Sequence, residues 1–302
     1  MSMRYQAGIV LPGYNPLKVP NAPTIGTATG ANASASVTFT APADVGGGAI
    51  TGYSVVSTPS GIIGTGASSP VTVSGLSNGT PYTFTVFATN AYGPSPLSAA
   101  SNSVTPAVAI GDAFGGGFFA GQISTAGNSI ADYNLVVGPV ASAENASKQW
   151  KIVNTTTAGT SSVIDGPANS AAMNDVTHPA AQFCEGLTIG GFSDWYMPAQ
   201  NELEVCYFNL KPIVSSNNTA SGINPNAVPA RASNYTLSNP AQTSATDFRS
   251  TGTEYFASNV YWASTQTVYA SFSRYQRFDD GTQYNATKTT SNRVRAIRRV
   301  AV

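Results

Sequence analysis

From residue 82 to residue 88 every second side chain is apolar: Tyr82, Phe84, Val86 and Ala88 alternate with Thr83, Thr85 and Phe87. A helix cannot gather such residues on one face, whereas a strand does so automatically because its side chains alternate sides. The same period appears at Val37 and Phe39 and again at Val71 and Val73, with Ser and Thr between them. Gly, Pro and Asn separate these runs. Strands of this length punctuated by such turns predict an antiparallel β-sandwich over residues 21–106.

Charge then divides the chain. Only 9% of its 302 residues are charged, with 14 basic and 14 acidic groups, where a soluble domain usually carries about 25%. Zero net charge argues against nucleic acid or an anionic membrane as partner. At 42% hydrophobic residues the chain can bury a core and does not have the composition of a disordered one. Arg4, Lys18 and Asp44 are the only charged side chains before residue 106, and Trp150, Trp195 and Trp262 all lie after it. This shift places a domain boundary near Pro106. Three segments follow: an N-terminal arm over 1–20, a sandwich over 21–106 and a second domain over 107–302.

The arm carries Pro12, Pro16 and Pro20, which disfavour a helix, together with Tyr5, Ile9, Val10, Leu11, Tyr14 and Leu17. So many apolar groups suit a segment that docks on a partner. No run approaches the roughly 18 apolar residues of a membrane span, and the first residues do not read as a secretory leader. Cys184 and Cys206 make no disulfide framework. The expectation is a protein folded in a cytoplasm and displayed elsewhere, with no membrane insertion.

Residues 21–106 also carry a resemblance. Asn21-Ala22-Pro23-Thr24, Ala35-Ser36-Val37-Thr38-Phe39-Thr40, Gly48-Ala49-Ile50-Thr51-Gly52-Tyr53, Leu76-Ser77-Asn78-Gly79-Thr80-Pro81-Tyr82 and Ala88-Thr89-Asn90-Ala91-Tyr92-Gly93-Pro94 resemble a bacterial or phage fibronectin type III domain. The resemblance implies structural roles for Phe39, which stands where the family usually has Trp, and for Tyr82, at the tyrosine-corner position.

The second domain reads as α+β. Gly115-x-Gly117-x-x-Ala120 formally matches a loose dinucleotide fingerprint, but no helix pattern follows. The run is expected to be a glycine-rich strand or bulge where backbones come close. Apolar residues at 180, 183, 184 and 187 predict a helix over about 168–187, and those at 203, 206, 207 and 210 a second helix after Pro198. Residues 260–264 read as a strand, 269–286 as a hairpin turning at Asp279-Asp280-Gly281, and 293–300 as a closing strand. Gly190-Gly191-Phe192-Ser193-Asp194-Trp195-Tyr196-Met197-Pro198, followed by Glu202-Leu203, then Tyr261-Trp262-Ala263-Ser264 and Val294-Arg295-Ala296-Ile297-Arg298, resemble the family of the C-terminal domain of Lcl-type bacterial adhesins. The resemblance implies a C-type-lectin-like fold, seen also at phage fibre tips. It makes Trp195 and Trp262 core residues, and Asp194 and Glu202 a structural bracket bonding backbone around a turn. Ala199 replaces the family's Ser or Thr at the helix N-cap, which implies a loss of about 1 kcal/mol. The fold class expected is thus mainly β with some α: a fibronectin type III sandwich plus an α+β C-type-lectin-like domain.

Catalysis finds little footing. His178 has no partner histidine and is expected to cap a helix or lie at the surface. Cys184 and Cys206 fall on the apolar faces of their helices and read as core thiols. Asp279 and Asp280 are better explained by a turn than by calcium, and the arginines at 293, 295, 298 and 299 by salt bridges within the domain. No catalytic residue, metal or cofactor is expected. The candidate receptor-binding segment is the Ser/Asn/Thr-rich stretch from 215 to 259, with Tyr235, Arg249 and Tyr255. Tyr269, Tyr275, Arg277 and Tyr284 on the hairpin would extend the same face. Tyrosine among small polar residues is what paratopes use.

The expected function is a non-enzymatic bacteriophage virion surface protein: a tail-fibre or receptor-binding adhesin that attaches to a host-surface glycan or protein. It would dock on other virion proteins through residues 1–20 and form a homo-oligomer, with a trimer as the working number. The alternatives are a capsid head-fibre or decoration protein and, third, a cellular surface adhesin.

Overall fold

The structure, a computed structural model, describes residues 17–302. It divides into two compact units between Ala109 and Ile110.

The first unit is the sandwich. Its strands are β1 (Thr24–Ala31), β2 (Ser34–Thr40), β3 (Gly52–Thr58), β4 (Ile63–Gly66), β5 (Val71–Ser74), β6 (Thr83–Asn90) and β7 (Gly93–Pro94). One sheet has the order β1-β2-β5 and the other β4-β3-β6-β7. Period-two alternation becomes burial directly: along β6, Phe84, Val86 and Ala88 are fully buried while the residues between them are partly exposed. They meet Val37, Val55 and Val73 between the sheets. Phe39 packs against Tyr53 at a ring separation of 4.7 Å, so phenylalanine fills the site. The Tyr82 ring is buried and its hydroxyl accepts the Ser77 N–H at 3.1 Å, closing the corner.

The docking arm expected over 1–20 falls almost wholly outside the described residues. Its last residues belong to the sandwich: Lys18 N–H donates to the Gly46 carbonyl at 2.9 Å, the Lys18 ammonium lies 2.8 Å from Asp44, and Pro20 is buried.

The second unit holds β8 (Ala113–Phe114), β9 (Gly117–Ile123), β10 (Tyr133–Val137), α1 (Val140–Ala143), β11 (Glu144–Gln149), α2 (Gly166–Ala171), α3 (Pro179–Glu185), α4 (Gln200–Leu210) and β12 (Ala227–Val228). It is completed by β13 (Val260–Gln266), β14 (Phe272–Arg277), β15 (Gln283–Thr287), β16 (Ser291–Arg295) and β17 (Ile297–Ala301). One sheet runs β12-β9-β10-β17, with β8 on β9. The other runs β11-β16-β13-β14-β15. One core lies under α4, with Leu203, Cys206, Tyr207 and Leu210 against Ile123, Leu135 and Ile297. The second gathers Trp150, Trp195 and Trp262.

The glycine run is strand and turn. Gly115 and Gly116 take positive φ, and a Cβ on Gly117 would sit 2.3 Å from the Val137 carbonyl oxygen. Two expectations change. The helix expected over 168–187 is broken into α2, which ends at Ala171, and α3, which starts afresh at Pro179; Pro179 lacks an N–H, suits a first helical position and holds His178 out of helical backbone (φ −122, ψ 69). The closing strand is two strands in two sheets. Ala296 between them donates to the Ala143 carbonyl at 2.9 Å and accepts from Gly138 N–H at 3.0 Å, so the chain switches sheets there.

Replacing Tyr82 by Phe removes the corner hydrogen bond and leaves the ring. The sandwich should lose about 1 kcal/mol of stability in urea unfolding, with the m-value unchanged.

Candidate functional site

The Asp194–Glu202 block lies where the two sheets of the second unit meet, and arginines of β17 hold it. Arg298 grips Asp194 with two hydrogen bonds, Nε to Oδ1 at 2.7 Å and Nη2 to Oδ2 at 2.9 Å. Its third nitrogen reaches the Gly115 carbonyl at 2.8 Å, and the guanidinium lies 3.8 Å from the centre of the Phe192 ring. Asp194 therefore binds an arginine where backbone was expected, and the hydrogen bond from Arg298 holds its carboxyl below the usual range. Trp195 is buried, and its indole N–H donates to the Phe192 carbonyl at 3.1 Å. Trp262 donates likewise to the Lys148 carbonyl at 3.0 Å.

Glu202 is fully buried and every bond it makes is structural. Its carboxylate accepts the Tyr196 hydroxyl at 2.6 Å, Ala199 N–H at 2.8 Å and Arg299 Nε at 2.7 Å. Burial raises its pKa, and the charge of Arg299 opposes that rise. The weak cap at Ala199 is made good by distant residues. The Thr265 hydroxyl accepts Gln200 N–H at 3.0 Å and the Val163 carbonyl accepts Asn201 N–H at 2.8 Å, so two free donors of the first turn are paired without a side-chain acceptor at the N-cap position itself.

The segment 215–259 has little regular structure, yet side chains tie it down. Asn217 accepts the Tyr207 hydroxyl at 2.7 Å and donates to the carbonyls of Thr236 and Pro240 at 3.0 Å each. Asn226 links Asn201 Nδ2 at 2.9 Å to the Ser124 carbonyl at 2.8 Å. Phe248 and Phe256 lie in the core. Tyr235 is buried too, which removes it from any receptor face. Its ring lies 5.5 Å from Tyr207 and its hydroxyl donates to Glu204 at 2.8 Å. Glu204, itself buried, also receives Asn224 Nδ2 at 2.6 Å and a two-point grip from Arg231. A tyrosine in a polar run has no periodicity to report burial; the available signal was an acid on α4 one position beyond Leu203, where only an internal partner keeps it.

The other candidates scatter. Arg249 is half-buried on the Thr243 carbonyl at 2.9 Å, and Tyr255 is 37% exposed. Tyr275 and Tyr284 are register partners across β14 and β15 and share a face. Phe272, an odd number of residues before Tyr275, points to the opposite face, and Tyr269 packs on Phe272 at 6.5 Å. The hairpin tyrosines therefore do not form one continuous patch. Arg277 pairs with Asp279, and Asp280 accepts Thr282 N–H at 2.9 Å, so the turn uses its own carboxylates. Tyr269 and Tyr284, at 66% and 61%, remain the exposed rings.

A family model for the Lcl C-terminal domain matches residues 144–298, about half of the chain. The protein belongs to the Lcl C-terminal domain family. A fibronectin type III model matches residues 21–104 ahead of it, and the two together make a surface, adhesion-type architecture. Among solved structures, titin kinase with its flanking domains is 30% identical over 30% of this chain, at a TM-score of 0.27. The twitchin kinase region of C. elegans is 22% identical over 30%, at 0.27. A titin module from human cardiac muscle is 30% identical over 30% of this chain and 91% of its own, at 0.24. The chain spans 17% of the length of each of the first two. No curated protein matches it.

Within the Lcl C-terminal domain, Cys184 and Cys206 are buried and unpaired, and burial drives both thiols well above their ordinary pKa. His178 stands at the N-cap position of α3, as expected, but its side chain makes no capping bond and is buried, against the expectation of a surface role. Its Nδ1 lies 2.9 Å from Asp175, its Nε2 2.8 Å from the Thr157 hydroxyl, and its ring 5.6 Å from Trp150. Lys151 donates to that hydroxyl at 2.9 Å, and Lys288 sits over the Trp150 ring at 4.5 Å. Among the described residues no group of three or more His, Cys, Asp or Glu is placed to hold a metal ion. No helix there is long and apolar enough to cross a membrane.

Two outcomes follow. Glu202→Gln removes the buried anion from Arg299, leaving it Asp165 at 3.9 Å, and should cost about 2 kcal/mol in urea unfolding. His178 has its pKa lowered by burial, with Lys151 and Lys288 acting in the same direction and Asp175 opposing. The unfolded chain then binds the extra proton first. Stability is fully present above about pH 6.5 and falls as pH drops through that value towards the folded pKa. Melting temperatures recorded from pH 7.5 to 5 should fall more for the native protein than for His178→Gln.

Proposed function

We propose that the protein acts by binding: a bacteriophage virion surface protein, most directly a tail-fibre or receptor-binding adhesin. It would recognise a host-surface glycan or protein in several copies per particle. The observation that carries the reading is the domain pair, a fibronectin type III domain followed by an Lcl C-terminal domain. The surface chemistry supports it. The arginines of the second domain at 231, 293, 295, 298 and 299 are engaged with carboxylates, which leaves a neutral polar exterior carrying Tyr255, Tyr269 and Tyr284. Such a surface recognises by contact area and hydrogen bonds, with little long-range steering. A binding role in place of catalysis agrees with the engaged state of Asp194, Glu202, His178 and both cysteines. Repeated copies would raise weak single contacts by avidity.

Removing residues 215–259 would take Tyr235, Phe248 and Phe256 out of the core, so point changes are the better probe. Purified protein should compete with parent particles for adsorption to host cells, and Tyr269→Ser with Tyr284→Ser should weaken that competition while the melting temperature stays constant. Labelled antibody should decorate the tail of the particle. Decoration confined to the capsid, without competition, would favour the head-fibre reading.

A further inference from the structure

The cations of the second unit fall into two groups. Arg231, Arg295, Arg298 and Arg299 each meet a carboxylate. Lys211, at the end of α4, does not. It is 1% exposed, and its ammonium donates to three neutral oxygens: Asn217 Oδ1 at 2.7 Å, the Pro240 carbonyl at 3.3 Å and the Ser215 carbonyl. The acidic group whose field reaches it is Asp280, which already stands 3.8 Å from Arg277. A buried ammonium without an anion is costly, and neutral acceptors offset only part of the lost hydration. Burial accordingly lowers the Lys211 pKa.

Lys151 and Lys288 also bond to neutral oxygens, and Lys288 is closed over by the Trp150 ring. Lys211 differs in lining a cleft of about 530 Å³, a size that takes small organic ligands. Part of the cleft wall is aliphatic. Val214 and Leu237 line it and are 87% and 65% exposed, beside Pro240 and Ala241. Ser216 and Ser238 stand among the lining residues as hydroxyl donors. An apolar wall open to water beside a cation short of an anion is complementary to one kind of molecule.

We propose that this cleft binds a carboxylate carried on an aliphatic body, with the carboxylate taking the place of the long Pro240 contact on Lys211 and the chain lying against Val214 and Leu237. Ser216 or Ser238 would donate to the second carboxylate oxygen. The site stands whether or not the protein attaches to cells, since it rests on Lys211 and its cleft alone.

Titration calorimetry and amide chemical-shift mapping with hexanoate, hexanol and hexylamine test it on the whole chain. Hexanoate should bind and shift residues 211–216 and 237–242. Hexanol, which has the same body without the charge, should bind at least about ten-fold more weakly, and hexylamine should not bind. Leu237→Asp lies on the exposed wall and should keep the native melting temperature while weakening hexanoate by about ten-fold. Lys211→Met should abolish the preference of hexanoate over hexanol. Should that variant not fold, Leu237→Asp decides. Equal binding of hexanoate and hexanol, no binding of hexanoate, or unchanged hexanoate affinity in Leu237→Asp would each overturn the proposal.

Discussion

The carboxylate of Glu202 joins three parts of the second domain at one buried point. It fixes the start of α4 through Ala199 N–H, the turn after Trp195 through the Tyr196 hydroxyl, and β17 through Arg299. Next to it, Arg298 ties β17 to Asp194 and to the glycine turn at Gly115. The Glu202 pair is almost wholly shielded from water, where breaking one partner costs far more than an exposed pair contributes, whereas Asp194 is exposed and holds Arg298 from the surface side. The three tryptophans and the sheet switch at Ala296 depend on β17 lying where these arginines hold it.

Low charge content gains a different meaning from this. A chain with few charged residues usually shows them to water. Here Glu202, Glu204, Arg295 and Arg298 are buried and serve as internal connectors, so the exterior is more neutral still than the composition implies. A neutral exterior and a long irregular segment would ordinarily suggest looseness. The segment 215–259 is instead held by Asn217, Asn224 and Asn226, whose amides pair loop backbone and helix polar groups. A surface ordered in advance loses less entropy when it binds.

Most of the fold was legible in local pattern. Alternation along β6, the spacing of Leu203, Cys206, Tyr207 and Leu210, and the Asp-Asp-Gly turn each report a periodicity that survives into the structure, because burying one face of a strand or helix is a local demand. The glycines at 115–117 were legible for a similar reason: a residue without Cβ is needed where backbone meets backbone. Tyr235 was not. It sits among Ser, Asn and Thr, and what buries it is Glu204, thirty-one residues earlier in the chain. Lys211 and Asn217 were missed for the same cause, since a buried lysine looks like any other lysine until the oxygens around it are known.

By itself, the sequence determined two domains and their strand and helix types, which arise from short-range patterns, while the corner tyrosine and the Asp-Trp…Glu-Leu block followed from the resemblance to the two families. Tertiary structure alone decided which polar groups are inside. It made Thr265 and Val163 the cap of α4, divided the final strand between two sheets, turned the Asn-rich segment into a braced loop and separated Tyr269 from the face that Tyr275 and Tyr284 share. Burial of a polar group depends on partners far away in the chain, and neither composition nor period records them.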